Sequence, residues 1–261
     1  MSYQSIERET RGPAAWVWLN RPAAHNAFDE AMIADLTDVF TRLQAEDAVR
    51  VIVLAGRGQS FSAGADLKWM ERAAAQTKKA NLRDALAMAG MLKTIASIAK
   101  PVVARVQGAA FGGGAGLAAV CDIAIASAAA EFALSEVRFG LIPATIGPYV
   151  VAAIGRRQAS RYFLTGERIS AAEACRIGLA HEVCPPEALD ERVGRVVAAL
   201  AAAAPKAQAA AKAFIRRVAG KEIDERLIAA TAQTIATLRT TPEAREGIQA
   251  FLEKRRPSWQ P

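Results

Sequence analysis

Two glycine-dense segments carry the residue pattern that could do chemistry: FSAGADLKWM at residues 61–70 and FGGGAGLAAVCD at residues 111–122. Each closes a strand-like apolar region and opens a helix. A helix start leaves backbone N–H groups without intrahelical partners, so both segments should aim donors at whatever sits above them, which suits an anion or a developing oxyanion. Nucleotide phosphates are the first ligand to test. The second segment fails G-x-G-x-x-G because Leu117 stands where the third glycine belongs, and no G-x-x-x-x-G-K-[ST] occurs. The side chains that could move protons are few. His25 and His181 are the only histidines and lack metal-ligand spacing, and no G-x-S-x-G is present. Cys121, Cys175 and Cys184 form neither an even set nor a C-x-x-C pair, which predicts reduced, mostly buried thiols. Asp66 reads as a carboxylate bonded to backbone N–H groups at its own helix start. Glu136, in LSEVRFG, read alone is a surface acid or a partner for Arg138.

The elements that must position these residues are legible mainly in the first half. AAWVWLN (14–20), RVIVLAG (50–56), PVVARVQG (101–108) and CDIAIAS (121–127) are short apolar runs ended by Gly, Asn or Ser, as strands should be. Between them DEAMIADLTDVFTRLQ puts Ile33, Leu36, Val39, Phe40 and Leu43 on one helical face behind an Asp29 N-cap, and a second helix fits 81–98 before Lys100-Pro101. After about residue 150 helices dominate. A Ser170…Glu173 capping box opens a helix that Gly178 ends, Pro205 breaks an alanine-rich helical stretch, and Thr241-Pro242 starts a last helix with Ile248, Phe251 and Leu252 on one stripe.

A chain of 261 residues is long enough for one α/β domain with a helical appendage. No run of 18 strongly apolar residues suggests a membrane span, and the polar, mixed-charge start MSYQSIERET has the build of neither a secretory signal nor a transit peptide, so a cytoplasmic location is expected. The net charge of +7 fits a surface that attracts a polyanionic small molecule. Basic groups such as Arg156-Arg157, Arg216-Arg217 and Lys254-Arg255-Arg256 lack an aromatic-studded stripe, which argues against nucleic acid as the partner.

The runs NRPAAHNAF (20–28), FSAGADLKWM, PVVARVQGAAFGGGAGLAAVCDIAIAS (101–127), FALSEVRFGLIP (132–143) and FLEKRRPSW (251–259), in this order, resemble the crotonase superfamily of enoyl-CoA hydratases and isomerases over nearly the whole chain. The resemblance implies an α/β crotonase-like spiral of β-β-α turns over residues 1–190, which holds the CoA-thioester site. It implies a helical C-terminal region over 191–261 that builds a trimer or a dimer of trimers. The backbone N–H groups of Ala65 and Gly113 would form an oxyanion hole for an acyl-CoA thioester. Ala63, Ala65, Asp66, Leu67 and Lys68 would run along the CoA, Gly112 and Gly116 would border the acyl group, and Phe251 and Lys254 would reach the CoA of a neighbouring subunit. No metal or redox cofactor is implied, because CoA enters as part of the substrate.

In the hydratases of this superfamily two glutamates hold the water that adds across the double bond. Here the later position is Glu136, and the earlier one aligns with Gly116. A lone carboxyl group suffices for a Δ3,Δ2-enoyl-CoA isomerase, and hydration remains open. The apolar stretch after the glycine turn and LSEVRFGLIPATIGPYVV are most similar to methylglutaconyl-CoA hydratases of leucine and isoprenoid breakdown. On that reading Gly116 leaves room for a branched diacid substrate. One branch of the superfamily binds RNA, and an RNA-binding or catalytically degenerate protein is the alternative from another class.

Overall fold

The strand-like runs pair into one six-stranded sheet. In the computed structural model, which describes residues 3–260, the chain runs β1 (Ile6–Arg11), β2 (Ala14–Leu19), α1 (Glu30–Ala45), β3 (Val51–Gly56), α2 (Leu67–Ala75), α3 (Lys78–Ser97), β4 (Val102–Val106), β5 (Ala109–Phe111) and α4 (Gly113–Val120). It continues through β6 (Ile123–Ser127), β7 (Glu131–Ala133), α5 (Gly147–Thr165), β8 (Arg168–Ser170), α6 (Ala171–Ile177) and β9 (Glu182–Cys184). The C-terminal helices are α7 (Leu189–Ala202), α8 (Pro205–Val218), α9 (Glu225–Arg239) and α10 (Pro242–Leu252). The large sheet has the order β1-β2-β3-β4-β6-β9, and β5, β7 and β8 form a second, small sheet. Only the β1–β2 pair of the large sheet is antiparallel.

A spiral results because successive turns feed both sheets. β4 leads to β5 and then α4, and β6 leads to β7 and then α5. The preceding turns do the same with single bridges in place of strands, Phe28 to Ala65 and Ser62 to Ala110. Inner parallel strands are covered on both faces, so β2 and β3 are buried throughout and read as continuous apolar runs. Val17, Leu19, Ile52 and Leu54 face α1 and α3, whereas Trp16, Trp18, Val51 and Val53 face α7 through Leu189 and Val193. Residue 191 lies inside α7, so the helix that closes the second face of the sheet straddles the expected start of the C-terminal region. Among the described residues no helix is long and apolar enough to cross a membrane.

The expected caps form. Asp29 Oδ1 accepts from the Met32 N–H, Ser170 Oγ from the Glu173 N–H, and Thr241 Oγ1 from the Ala244 N–H. Only half of the Ser170…Glu173 box is made, because the Glu173 carboxylate accepts instead from the Tyr162 hydroxyl at 2.5 Å and from Arg176. Cys121 and Cys184 are buried and Cys175 partly so, all as free thiols. The helical C-terminal region is fastened by the Lys212 ammonium, which meets Asp122 Oδ2 at 2.6 Å and the Lys100 carbonyl at 3.2 Å, with 10% of its side chain exposed.

Two close approaches bind α4 to its surroundings. A Cβ at Gly114 would lie 2.3 Å from the Ser62 carbonyl oxygen. One at Gly116 would lie 2.2 Å from Cγ2 and 2.6 Å from Cβ of Ile146, which is 2% exposed. The expectation that Gly116 leaves room for a branched substrate is therefore corrected: Ile146 already fills that space. A Gly116→Glu variant should lose more than about 3 kcal/mol of stability in denaturant unfolding, because it overpacks the helix contact and buries a carboxylate. A second change, Ile146→Gly, should restore part of that loss. Wild-type stability of the single variant would contradict the packing described.

Candidate active site

The two glycine turns lie backbone to backbone. The Ser62 N–H donates to the Ala109 carbonyl at 3.0 Å, and the Phe111 N–H donates to the Ser62 carbonyl at 2.9 Å. On the other side of the same turn the Phe28 N–H donates to Gly64 O at 2.6 Å, and the Asp66 N–H to Phe28 O at 2.8 Å. Those bonds use the groups flanking Ala65, so its own N–H points to the opposite side of the bridge. Gly64, at φ +91°, permits the approach, since a Cβ there would sit 2.8 Å from the Phe111 carbonyl oxygen. Gly113 is the first residue of α4 and carries an N–H of the kind a helix start leaves over. Among the described residues neither the Ala65 nor the Gly113 N–H has a hydrogen-bond partner, and both residues line one cleft of about 480 Å³.

Glu136 enters the same cleft from a short 3-10 turn, Ser135–Phe139, that follows β7. Gly112, at φ +48°, ties this turn to the glycine turn that opens α4 by donating its N–H to the Ala133 carbonyl at 2.8 Å. A Cβ on Gly112 would come within 3.0 Å of Glu136 Oε1. Glu136 Oε2 is buried and has no hydrogen-bond partner. Burial raises the pKa of this carboxyl group, opposed only by its own backbone N–H. No Lys, Arg or His among the described residues lines the cleft, whose walls are mostly apolar. A carboxyl group with unused lone pairs and a raised pKa, in a dry wall beside two N–H donors, can take a proton from a bound substrate or water and return it.

The structure brings Ala63, Ala65, Leu67, Gly112, Gly113 and Glu136 together around this cleft. Leu67 is 82% exposed at its rim, and Lys68 is exposed on the first turn of α2, outside the lining. The Asp66 carboxylate caps the start of α2, as its place in the sequence predicts. Oδ1 accepts from the Lys68 and Trp69 N–H groups and Oδ2 from Arg21 Nη2 at 2.9 Å. Burial opposes ionisation of Asp66, but Arg21 and the two N–H groups outweigh it, and its pKa lies below the usual range. Gly116 is packed under Ile146 and does not line the cleft. Phe251, 82% exposed, and Lys254 lie at the end of α10, apart from this cleft of their own chain. Sequence reading missed the wall made by α3, where Asn81, Asp84, Ala85 and Met88 line the cleft. Their i, i+3, i+4, i+7 spacing was the available signal. It also missed the segment from Leu141 to Ile146, which has no periodicity to read.

Comparison with known proteins accords with this geometry. The enoyl-CoA hydratase/isomerase family matches residues 9–261. The (E)-benzylidenesuccinyl-CoA hydratase of Thauera aromatica is 35% identical, with 97% of this chain and 98% of that one covered. The crotonyl-CoA hydratase of Syntrophomonas wolfei is 33% identical, with 98% of each covered. The crystal structure of an enoyl-CoA hydratase from Shewanella pealeana superposes with a TM-score of 0.96 at 38% identity, over 98% of this chain and 96% of that one. With its two-sheet spiral, its paired glycine turns and a match from β1 to the last residues, this chain belongs to the enoyl-CoA hydratase/isomerase family.

Proposed function

We propose that the protein adds water to a 2-enoyl-CoA thioester, with Glu136 as the proton-transfer group and the Ala65 and Gly113 N–H groups as the oxyanion hole. The observation that carries this reading is the buried, unpartnered Oε2 of Glu136 in a cleft that also displays two N–H donors. The ionised Glu136 takes a proton from a water whose oxygen bonds to C3. The π pair of the C2–C3 double bond shifts to form a C1–C2 double bond, and the thioester carbonyl pair moves onto its oxygen. That enolate oxygen is held by the two N–H groups, a donor of this kind being worth about 2.7–4 kcal/mol. Glu136 then returns the proton to C2, the carbonyl re-forms, and the group is again ionised. CoA arrives with the substrate, and no metal step is required by this scheme.

Isomerisation is the second reading, favoured by the closure of position 116, which leaves Glu136 with no second carboxyl group supplied from α4. Removal of a proton from C2 of a 3-enoyl thioester and its return at C4 needs no water. The acyl group also stays within this proposal. The relatives' names span a straight four-carbon chain and a branched diacid, and a 3-methylglutaconyl group would find no cation for its second carboxylate among the described residues that line the cleft. In the cell we place this reaction in the cytoplasm. The exposed apolar residues of the last helices, among them Ile228, Ile235, Ile248 and Phe251, support a trimer or a dimer of trimers in which Phe251 and Lys254 approach a neighbour's CoA.

Mass spectrometry after separate incubation with 3-methylglutaconyl-CoA, crotonyl-CoA and a 3-enoyl-CoA tests the reaction. A mass change of one water, reduced about a hundred- to ten-thousandfold by Glu136→Gln, is the expected result; conversion of the 3-enoyl compound with no water exchange would make the protein an isomerase. Because burial disfavours the anion, Glu136 keeps its proton to a higher pH than an ordinary glutamate, and only the ionised form can accept one from water. The acid limb of kcat/KM should therefore lie above about pH 4.3, and an acid limb at or below that value would contradict the burial effect. Sedimentation velocity should show a trimer or hexamer, and a monomer at micromolar concentration would exclude the assembly.

A further inference from the structure

The α3 wall of the cleft holds a second carboxyl group that the mechanism above does not use. Asp84 lines the cleft together with Glu136, and its side chain is only 16% exposed. Among the described residues its one ion pair is with Arg83 Nε at 3.6 Å, and Arg83 itself is 78% exposed. The Asp84 side chain has no hydrogen bond to another described residue, whereas the neighbouring polar group, Asn81, is engaged through Nδ2 with the Ala73 carbonyl at 2.9 Å. A carboxylate that lines a ligand cleft without a donor from its own chain has its acceptor positions open to what the cleft binds.

Its place relative to the reacting atoms follows from Met88, one helical turn further along α3. A Cβ at Gly113 would lie 3.0 Å from Met88 Cε, and a Cβ at Gly112 would lie 3.0 Å from Glu136 Oε1. Met88 and Glu136 thus flank adjacent residues of the oxyanion turn, and Asp84 stands one turn out from Met88 on that helix wall. Trp69 and Asp84 are the two residues that line both this cleft and the groove between α1 and α3. The indole Nε1 of Trp69 is buried without a partner. A donor on α2 and an acceptor on α3 that line the same cleft, neither with a side-chain hydrogen bond, are complementary to a water molecule, which can accept from one and donate to the other.

We propose that Asp84 positions the water that adds to the acyl chain, a task for which position 116 is closed by Ile146. Asp84 accepts one proton of that water in a hydrogen bond while Glu136 removes the other, so Asp84 itself keeps no proton and forms no bond to carbon. This rests on the hydratase reading. The hydroxyls of Ser135 and Thr145 also line the cleft, but a carboxylate is the stronger acceptor for a water about to lose a proton.

The test compares Asp84→Asn, Asp84→Glu, Ser135→Ala and Thr145→Val with the wild type. Each is assayed for hydration of crotonyl-CoA and for exchange of the C2 protons of butyryl-CoA in deuterated water, which needs Glu136 and the oxyanion hole but no added water. Asp84→Asn is expected to lower kcat for hydration by about ten- to a hundredfold. KM, C2 exchange and the thermal midpoint should stay at wild-type values, and Asp84→Glu should recover part of the rate. Equal losses of hydration and exchange would show general damage to the site and overturn the proposal, as would wild-type hydration by Asp84→Asn or a selective loss in Thr145→Val or Ser135→Ala instead. A wild-type enzyme that exchanges C2 protons but hydrates no enoyl-CoA would mark failure of the hydratase reading itself.

Discussion

The site depends on the contact between two backbone turns. Residues 62–66 and 110–114 approach so closely that a side chain at Gly64 or Gly114 would penetrate carbonyl oxygens. Hydrogen bonds from both directions hold the contact: Ser62 pairs with the β5 strand, and Phe28 takes the groups on either side of Ala65. An oxyanion hole needs two donors fixed a few ångströms apart before the substrate arrives, since donors that must reorganise lose most of their advantage. Backbone N–H groups in paired turns meet that requirement better than side chains, which would have to be frozen at an entropic cost. The spiral supplies the pairing because each turn of chain lays a short second-sheet segment beside the previous one.

Charge is used sparingly around this frame. In the proposed mechanism the hole is built from dipoles, the walls are mostly apolar, and the group that carries protons is a carboxyl whose ionisation is disfavoured by burial. In a medium of low effective dielectric the attraction between an enolate oxygen and two N–H dipoles is strengthened, and a carboxyl with a raised pKa is a stronger base than an ordinary glutamate. Asp66 shows the opposite treatment within the same turn. Its oxygens are saturated by Arg21 and the start of α2, which holds it ionised and removes it from the chemistry.

Much of this was legible before any coordinates. β2, β3, β4 and β6 stand where short, mainly apolar runs lie, because parallel strands covered on both faces leave little room for polar residues. The caps at Asp29, Ser170 and Thr241 and the two glycine turns were readable from residue type alone. β1 was hidden because it is an exposed edge strand, IERETR, with charges along it. β5, β7, β8 and β9 have three residues each, too few for an alternation to register. Gly116 was misread for a different reason. An absent side chain looks like open space in a sequence, but whether it is open depends on a residue thirty positions away, and Ile146 closes it. The α3 wall gives a weaker signal, because Asn81 and Asp84 are polar residues on a helix whose buried face is set by Met88, Met91, Leu92 and Ile95.

A crystal structure with butyryl-CoA, a saturated thioester that cannot be hydrated, would test the central claim most directly. The account predicts the thioester oxygen about 2.7–3.1 Å from both the Ala65 and the Gly113 nitrogen atoms, with the Glu136 carboxyl group within proton-transfer reach of C2. A thioester oxygen bonded to neither N–H group, or an acyl chain bound outside the cleft that Glu136 lines, would contradict it.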